Sequence, residues 1–126
     1  MSPLWQFVIL LATHWFGDFI LQTRWQAENK SKRLDALTRH VVNYSAFLAV
    51  VSALLFGYND KTGLFAFANG VLHFGTDYCT SRWTSYLYKR ALVHKDYYGF
   101  WAVIGFDQLI HQVTLAATLL VFIGVK

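Results

Sequence analysis

The apolar residues of this chain fall into four runs, at 3–21, 41–57, 63–79 and 98–125, and the segments between them hold nearly all the charge. Each run is close to or above the length needed to cross about 30 Å of hydrocarbon, the second and third lying near the lower limit. The pattern predicts an all-α integral membrane bundle of about four transmembrane helices, with residues 1–126 forming one domain. Between the second and third runs, Gly57, Tyr58, Asn59, Asp60 and Lys61 have turn chemistry and predict a tight hairpin. The first run lacks a basic leader and a small-residue cleavage site and carries Asp18, so it reads as a helix rather than a removable signal.

Composition agrees with lipid as the main solvent: 56% of the residues are hydrophobic and only 14% charged, with a single proline. The lone cysteine, Cys79, excludes an intramolecular disulfide and any paired-cysteine zinc site. A net charge of +4 would suggest nucleic acid in a water-soluble chain, but here the basic residues have a simpler use in setting topology. Arg24, Lys30, Lys32, Arg33 and Arg39 lie in the first loop, and Arg82, Lys89, Arg90 and Lys95 in the third. By the positive-inside rule these loops face the cytoplasm and both termini lie outside, which predicts a multi-pass protein of the cytoplasmic (inner) membrane. Trp25, Trp83 and Trp101 flank the inner boundary and Trp5 the outer one, as indoles do at headgroup depth. Residues 25–37 and 84–93 mix basic and apolar positions and read either as short interfacial helices or as solvated connectors.

An ionisable side chain in hydrocarbon costs about 2.5–3.5 kcal/mol on insertion scales, so each one inside a span asks for a reason. The first helix carries His14 and Asp18, the third His73 and Asp77, and the fourth Asp107 and His111, each pair spaced i, i+4 and therefore on one helical face. His40 opens the second helix with Asn43 on the same side; Gln22 and Asn69 extend the stripes, and Gln108 and Gln112 flank the fourth-helix pair. All of these histidines and aspartates fall in the cytoplasmic half of the predicted bundle, whereas the outer halves carry no charge.

Any one His/Asp pair has a structural explanation, since the carboxylate accepts from the imidazole and the pair ties helices together. Seven ionisable groups at one depth would leave several partly satisfied in a low dielectric, where each unpaired polar atom costs several kcal/mol. One or two divalent cations would neutralise the aspartates and hold neutral imidazoles. The mixed N/O donor set favours zinc, then iron or manganese, over magnesium. His94, beside Lys95 and Asp96, reads as a solvated histidine, and Cys79 as a small apolar filler.

The segments HWFGDFILQTRWQAENKSK, NGVLHFGTDYCTSR and IGFDQLIHQ carry H-x3-D-F-x-L-Q, H-x3-D and D-Q-x2-H motifs. Together they resemble a family of small bacterial and phage membrane proteins known only as a domain of unknown function, a resemblance that implies a four-helix membrane fold and no activity. More loosely, the pattern is similar to inner-membrane metal-dependent hydrolases, whose apolar helices also carry His and Asp in the inner leaflet.

The leading expectation is a metal-dependent hydrolase acting from the cytoplasmic side on a phosphate-bearing lipid. A bound metal would bring the pKa of its water from near 15.7 toward about 7. His14, Asp18, His73, Asp77, Asp107 and His111 would be ligands or, as Asp18 or Asp77, the proton acceptor; His40 would be a further ligand or the acid. Arg39 and Arg82 would grip phosphate, their alternative use being headgroup anchoring. Two other readings stand beside it: a divalent-metal carrier or sensor, and a non-enzymatic interaction module with a buried packing network. The bilayer is the expected partner, nucleic acid is not, and a homo-oligomer would bury further apolar surface.

Overall fold

The computed structural model describes residues 1–124, so Val125, at the end of the fourth apolar run, and Lys126 lie outside the described residues. Helix α1, Pro3–Trp15, starts on Ser2, whose hydroxyl accepts from the Trp5 N–H, with proline in the first turn where no N–H is needed. It runs directly into a π-turn, Phe16–Ile20, closed by the Leu21 N–H donating to the Phe16 carbonyl at 3.0 Å. Thr23 and Gln26 form a reciprocal capping box at the start of α2, Arg24–Asn29, both bonds being 3.1 Å. Helix α3, Leu34–Phe56, stops at Gly57, whose φ of +86° suits glycine. The Asn59 side chain caps α4, Asp60–His94, and α5, Tyr98–Thr118, continues into a second π-turn, Leu119–Ile123.

The long central helix α4 packs along α3 on one side and α5 on the other, while α1 lies across α3 and α2 rests on its start. Close approach of α3 and α4 depends on Gly70: a Cβ there would lie 2.5 Å from Ser45 Oγ. An apolar layer of Leu10, Tyr44, Leu48, Phe65, Leu115 and Leu119 fills the end of the bundle that holds the Gly57 turn. Below it the interior turns polar, and the buried set holds more polar and charged residues than apolar ones. Outward positions are the reverse: Leu54 is 82% exposed, Val121 75% and Phe67 71%. That distribution inverts the pattern of a water-soluble domain.

Several expectations change. Two helices, Leu34–Phe56 and Tyr98–Ile123, are long and apolar enough to cross a membrane, so four spans of that quality are not present among the described residues. The boundary expected after residue 79 does not exist, because α4, 35 residues and about 50 Å long in all, continues to His94 and carries Arg82, Lys89 and Arg90 on a helix instead of a loop. The second span begins at Leu34, not Val41, which puts His40 in its second turn. Cys79 is exposed and therefore fills no core, and Asn43 and Gln112 also face outward.

Candidate metal centre

Seven residues from four helices meet below the apolar layer. His14 comes from α1, Asp18 from the π-turn, His40 from α3, His73 and Asp77 from α4, and Asp107 and His111 from α5. The i, i+4 pairs lie 3.6 Å (His14 and Asp18), 3.5 Å (His73 and Asp77) and 3.3 Å (His111 and Asp107) apart. The shorter contacts run between helices: Asp18 Oδ1 is 3.0 Å from both His40 Nε2 and His73 Nε2, and Asp77 Oδ1 is 3.0 Å from His111 Nε2.

Four donor atoms converge on one point: Asp18 Oδ1, His40 Nε2, His73 Nε2 and Asp77 Oδ2. Five of their separations lie between 3.0 and 3.5 Å, including 3.1 Å between the two imidazole nitrogens. A tetrahedral ion with bonds of about 2.0–2.1 Å has ligand–ligand edges of about 3.3–3.4 Å. Protons alone serve this arrangement poorly. Each Nε2 carries at most one hydrogen, so two hydrogens would have to answer five close contacts. A central cation answers all of them, so the residues present fit a divalent metal.

A second layer holds these side chains. The Tyr44 ring stacks on His73 at 4.0 Å, and His73 on His111 at 4.1 Å, which aligns three rings from three helices. Gly17 makes room for Tyr44, since a Cβ at that position would meet Tyr44 Cδ2 at 2.8 Å. Thr80 donates its hydroxyl to Asp107 Oδ1. Gln108 Nε2 donates to Asp18 Oδ2 and Asp107 Oδ2, both at 3.1 Å. Asn69, which extends the α4 stripe, points away from the cluster and ties α4 to α5 through a 2.7 Å bond to Thr118.

Lys30 is the unexpected member. Its ammonium reaches in from the segment after α2 and donates to Asp77 Oδ2 at 3.0 Å. Burial pulls its pKa down, but the carboxylates of Asp77, Asp18 and Asp107 outweigh burial and hold it above the ordinary lysine value. In the sequence it is one of several loop cations, and no spacing sets it apart.

Asp18, Asp77 and Asp107 also form the floor of an open cavity of about 680 Å³ between the α2 segment, the second half of α4 and the start of α5. Lys30, Lys32 and Lys89 give it a basic rim, and Phe19, Leu92 and Phe100 an apolar wall. Arg39 and Arg82, expected at a phosphate, are not in this lining: Arg39 lies over the Trp25 ring, and Arg82 over Tyr78, whose carbonyl it also reaches at 2.8 Å.

A family model described as "Protein of unknown function (DUF3307)" matches residues 6–126. No curated protein and no solved structure matches the chain.

Proposed function

The chain belongs to the DUF3307 family of unknown function, and from its own geometry we propose a metal-dependent hydrolase of the cytoplasmic membrane that acts on a phosphate-bearing, lipid-linked substrate from the cytoplasmic side. One observation carries the reading: the four-donor convergence shares Asp18 and Asp77 with the floor of the cavity. A metal held there is reachable by a molecule in the cavity, and the lining suits an amphiphile, with lysines for an anionic head and aromatic and aliphatic groups for a chain.

Asp18, His40, His73 and Asp77 would hold the ion; zinc suits two imidazoles and two carboxylates, with iron or manganese next. His40 is fully buried and serves as a ligand instead of an acid. A divalent ion held there would supply Lewis acidity, lowering the pKa of a bound water toward neutrality. Lys30, already paired with Asp77, is placed to neutralise a phosphate oxygen, and Lys89 meets the head at the rim.

All four long helices belong in the membrane in this reading. The outward faces of α1 and the first part of α4 are apolar beside the two longer spans, and the basic second half of α4 extends into the cytoplasm. The apolar layer from Leu10 to Leu119 closes the cluster toward the outer side, which favours chemistry over carriage across the bilayer.

The test is metal analysis of the detergent-purified chain together with hydrolysis of a phospholipid and polyprenyl-phosphate panel. Near-stoichiometric metal and turnover are expected, His73→Ala losing both, the latter by more than about 100-fold, and Lys89→Ala raising KM. Bound metal without turnover on any member would leave a carrier or sensor. Wild-type protein that binds no zinc, iron or manganese would leave a packing network.

A further inference from the structure

We propose that the cluster is a two-metal centre, in which Asp18 and Asp77 each bridge the ions through their two carboxylate oxygens and His14, Asp107 and His111 complete the second position. The inference rests on the metal-centre reading above and deepens it.

The two carboxylates divide their oxygens between different partners. Asp18 Oδ1 faces His40 and His73 at 3.0 Å each, while Oδ2 lies 3.6 Å from His14 Nε2 and accepts from Gln108. Asp77 Oδ2 lies 3.3 Å from His40 and 3.5 Å from His73, while Oδ1 is 3.0 Å from His111 Nε2. Each aspartate thus presents one oxygen to the first ligand set and the other to a second. Part of that second set is already assembled, since ligand atoms of Asp18, Asp107 and His111 lie within 4.8 Å of one another, and His14 groups with His111.

His14 supplies the independent sign. It is 2% exposed, and its Nε2 has no hydrogen-bond partner among the described residues. At 3.6 Å from Asp18 Oδ2 it is too far for a good hydrogen bond and near the separation of two ligands on one ion. One of its ring nitrogens also lies within 4.8 Å of ring nitrogens of His73 and His111. One ion among Asp18, His40, His73 and Asp77 would leave this nitrogen orphaned in the core; a second ion accounts for it.

The charges agree. Three carboxylates against two dications leave a single positive charge, and Lys30 adds another, so the centre is completed by an anion. Ions bridged by carboxylates sit about 3.5–4 Å apart, the spacing at which two metals clamp the oxygens of a phosphoryl group during in-line displacement. A phosphate monoester or diester is the substrate class this centre fits.

The experiment uses metal-stripped, full-length protein in detergent, reconstituted with Mn²⁺ alone, counted by mass spectrometry and examined by electron paramagnetic resonance. Two manganese ions per chain with an exchange-coupled spectrum are expected. Asp107→Asn, His111→Ala and His14→Ala should each retain one ion with an uncoupled six-line spectrum. One uncoupled ion in the wild type would overturn the second position and leave the metal centre standing. No bound ion would overturn both, and two coupled ions retained in all three variants would remove the assignment to these residues. The wild-type count decides the matter even where a variant fails to fold.

Discussion

Asp18 shows how much one side chain depends on its immediate neighbours. Gly17 before it lets the Tyr44 ring approach, and Tyr44 in turn stacks on His73, so the absence of a Cβ at position 17 is transmitted to a candidate ligand on another helix. Gly17→Ala should cost about 1–3 kcal/mol by overpacking and lower metal content by displacing the Tyr44 and His73 rings. Gly75→Ala, where a Cβ meets nothing within 4 Å, is the control and should be nearly silent. Thermal unfolding and metal content of the two variants compare them directly, and equal behaviour would disprove the coupling through Tyr44. At this scale the i, i+4 spacing exposes His14, Asp18, His73, Asp77, Asp107 and His111 in the sequence itself. Tyr44, one turn after His40, follows the same face and was legible by the same rule. Lys30 and Thr80 were not, because their roles arise from contacts with Asp77 and Asp107 on other segments.

The helices themselves carry features that hydropathy does not register. The π-turn at Phe16–Ile20 adds an extra residue to a turn at the point where Asp18 must face the cluster, the kind of place where such turns recur. Helix α4 persists beyond its apolar part because its basic residues are held locally: Arg82 lies over Tyr78 at 3.7 Å, and Arg90 over Tyr86 at 5.8 Å, each one turn back. A reading by charge density expects a loop there. The continuity matters, since Asp77, Thr80, Thr84 and Lys89 line the cavity from a single rigid element. Ser85→Pro, in the middle of that stretch, removes a helix bond and costs about 3 kcal/mol or more. It should leave metal bound and lower kcat/KM, chiefly through KM, by turning Lys89 and Leu92 away from the metal half. Loss of metal together with turnover would mean that the two halves of α4 do not act separately.

At the scale of the molecule the decisive feature is partial inversion: histidines, aspartates and amides are buried beside one apolar layer, while many leucines, valines and phenylalanines face outward. A bilayer accepts such a surface, and if it does, the nine cations between the apolar runs predict its orientation. With Cys79 replaced by serine, Ser2→Cys should react with a membrane-impermeant maleimide from outside intact cells, and Lys89→Cys only after permeabilisation. Labelling of Lys89→Cys from outside would reverse the topology and put the cavity on the other side.

The apolar runs and the His/Asp spacing depend only on neighbours a turn or two apart, and they are sufficient for the helical class and for the His and Asp residues that meet in the structure. The tertiary structure decided which oxygen of Asp18 faces which imidazole, that Lys30 reaches Asp77, and that lysines and not Arg39 or Arg82 line the cavity. Those relations join residues tens of positions apart, and they depend on helix rotation, on a single extra residue in a π-turn, and on how closely Gly17 and Gly70 let their neighbours approach. Local periodicity carries no record of any of these.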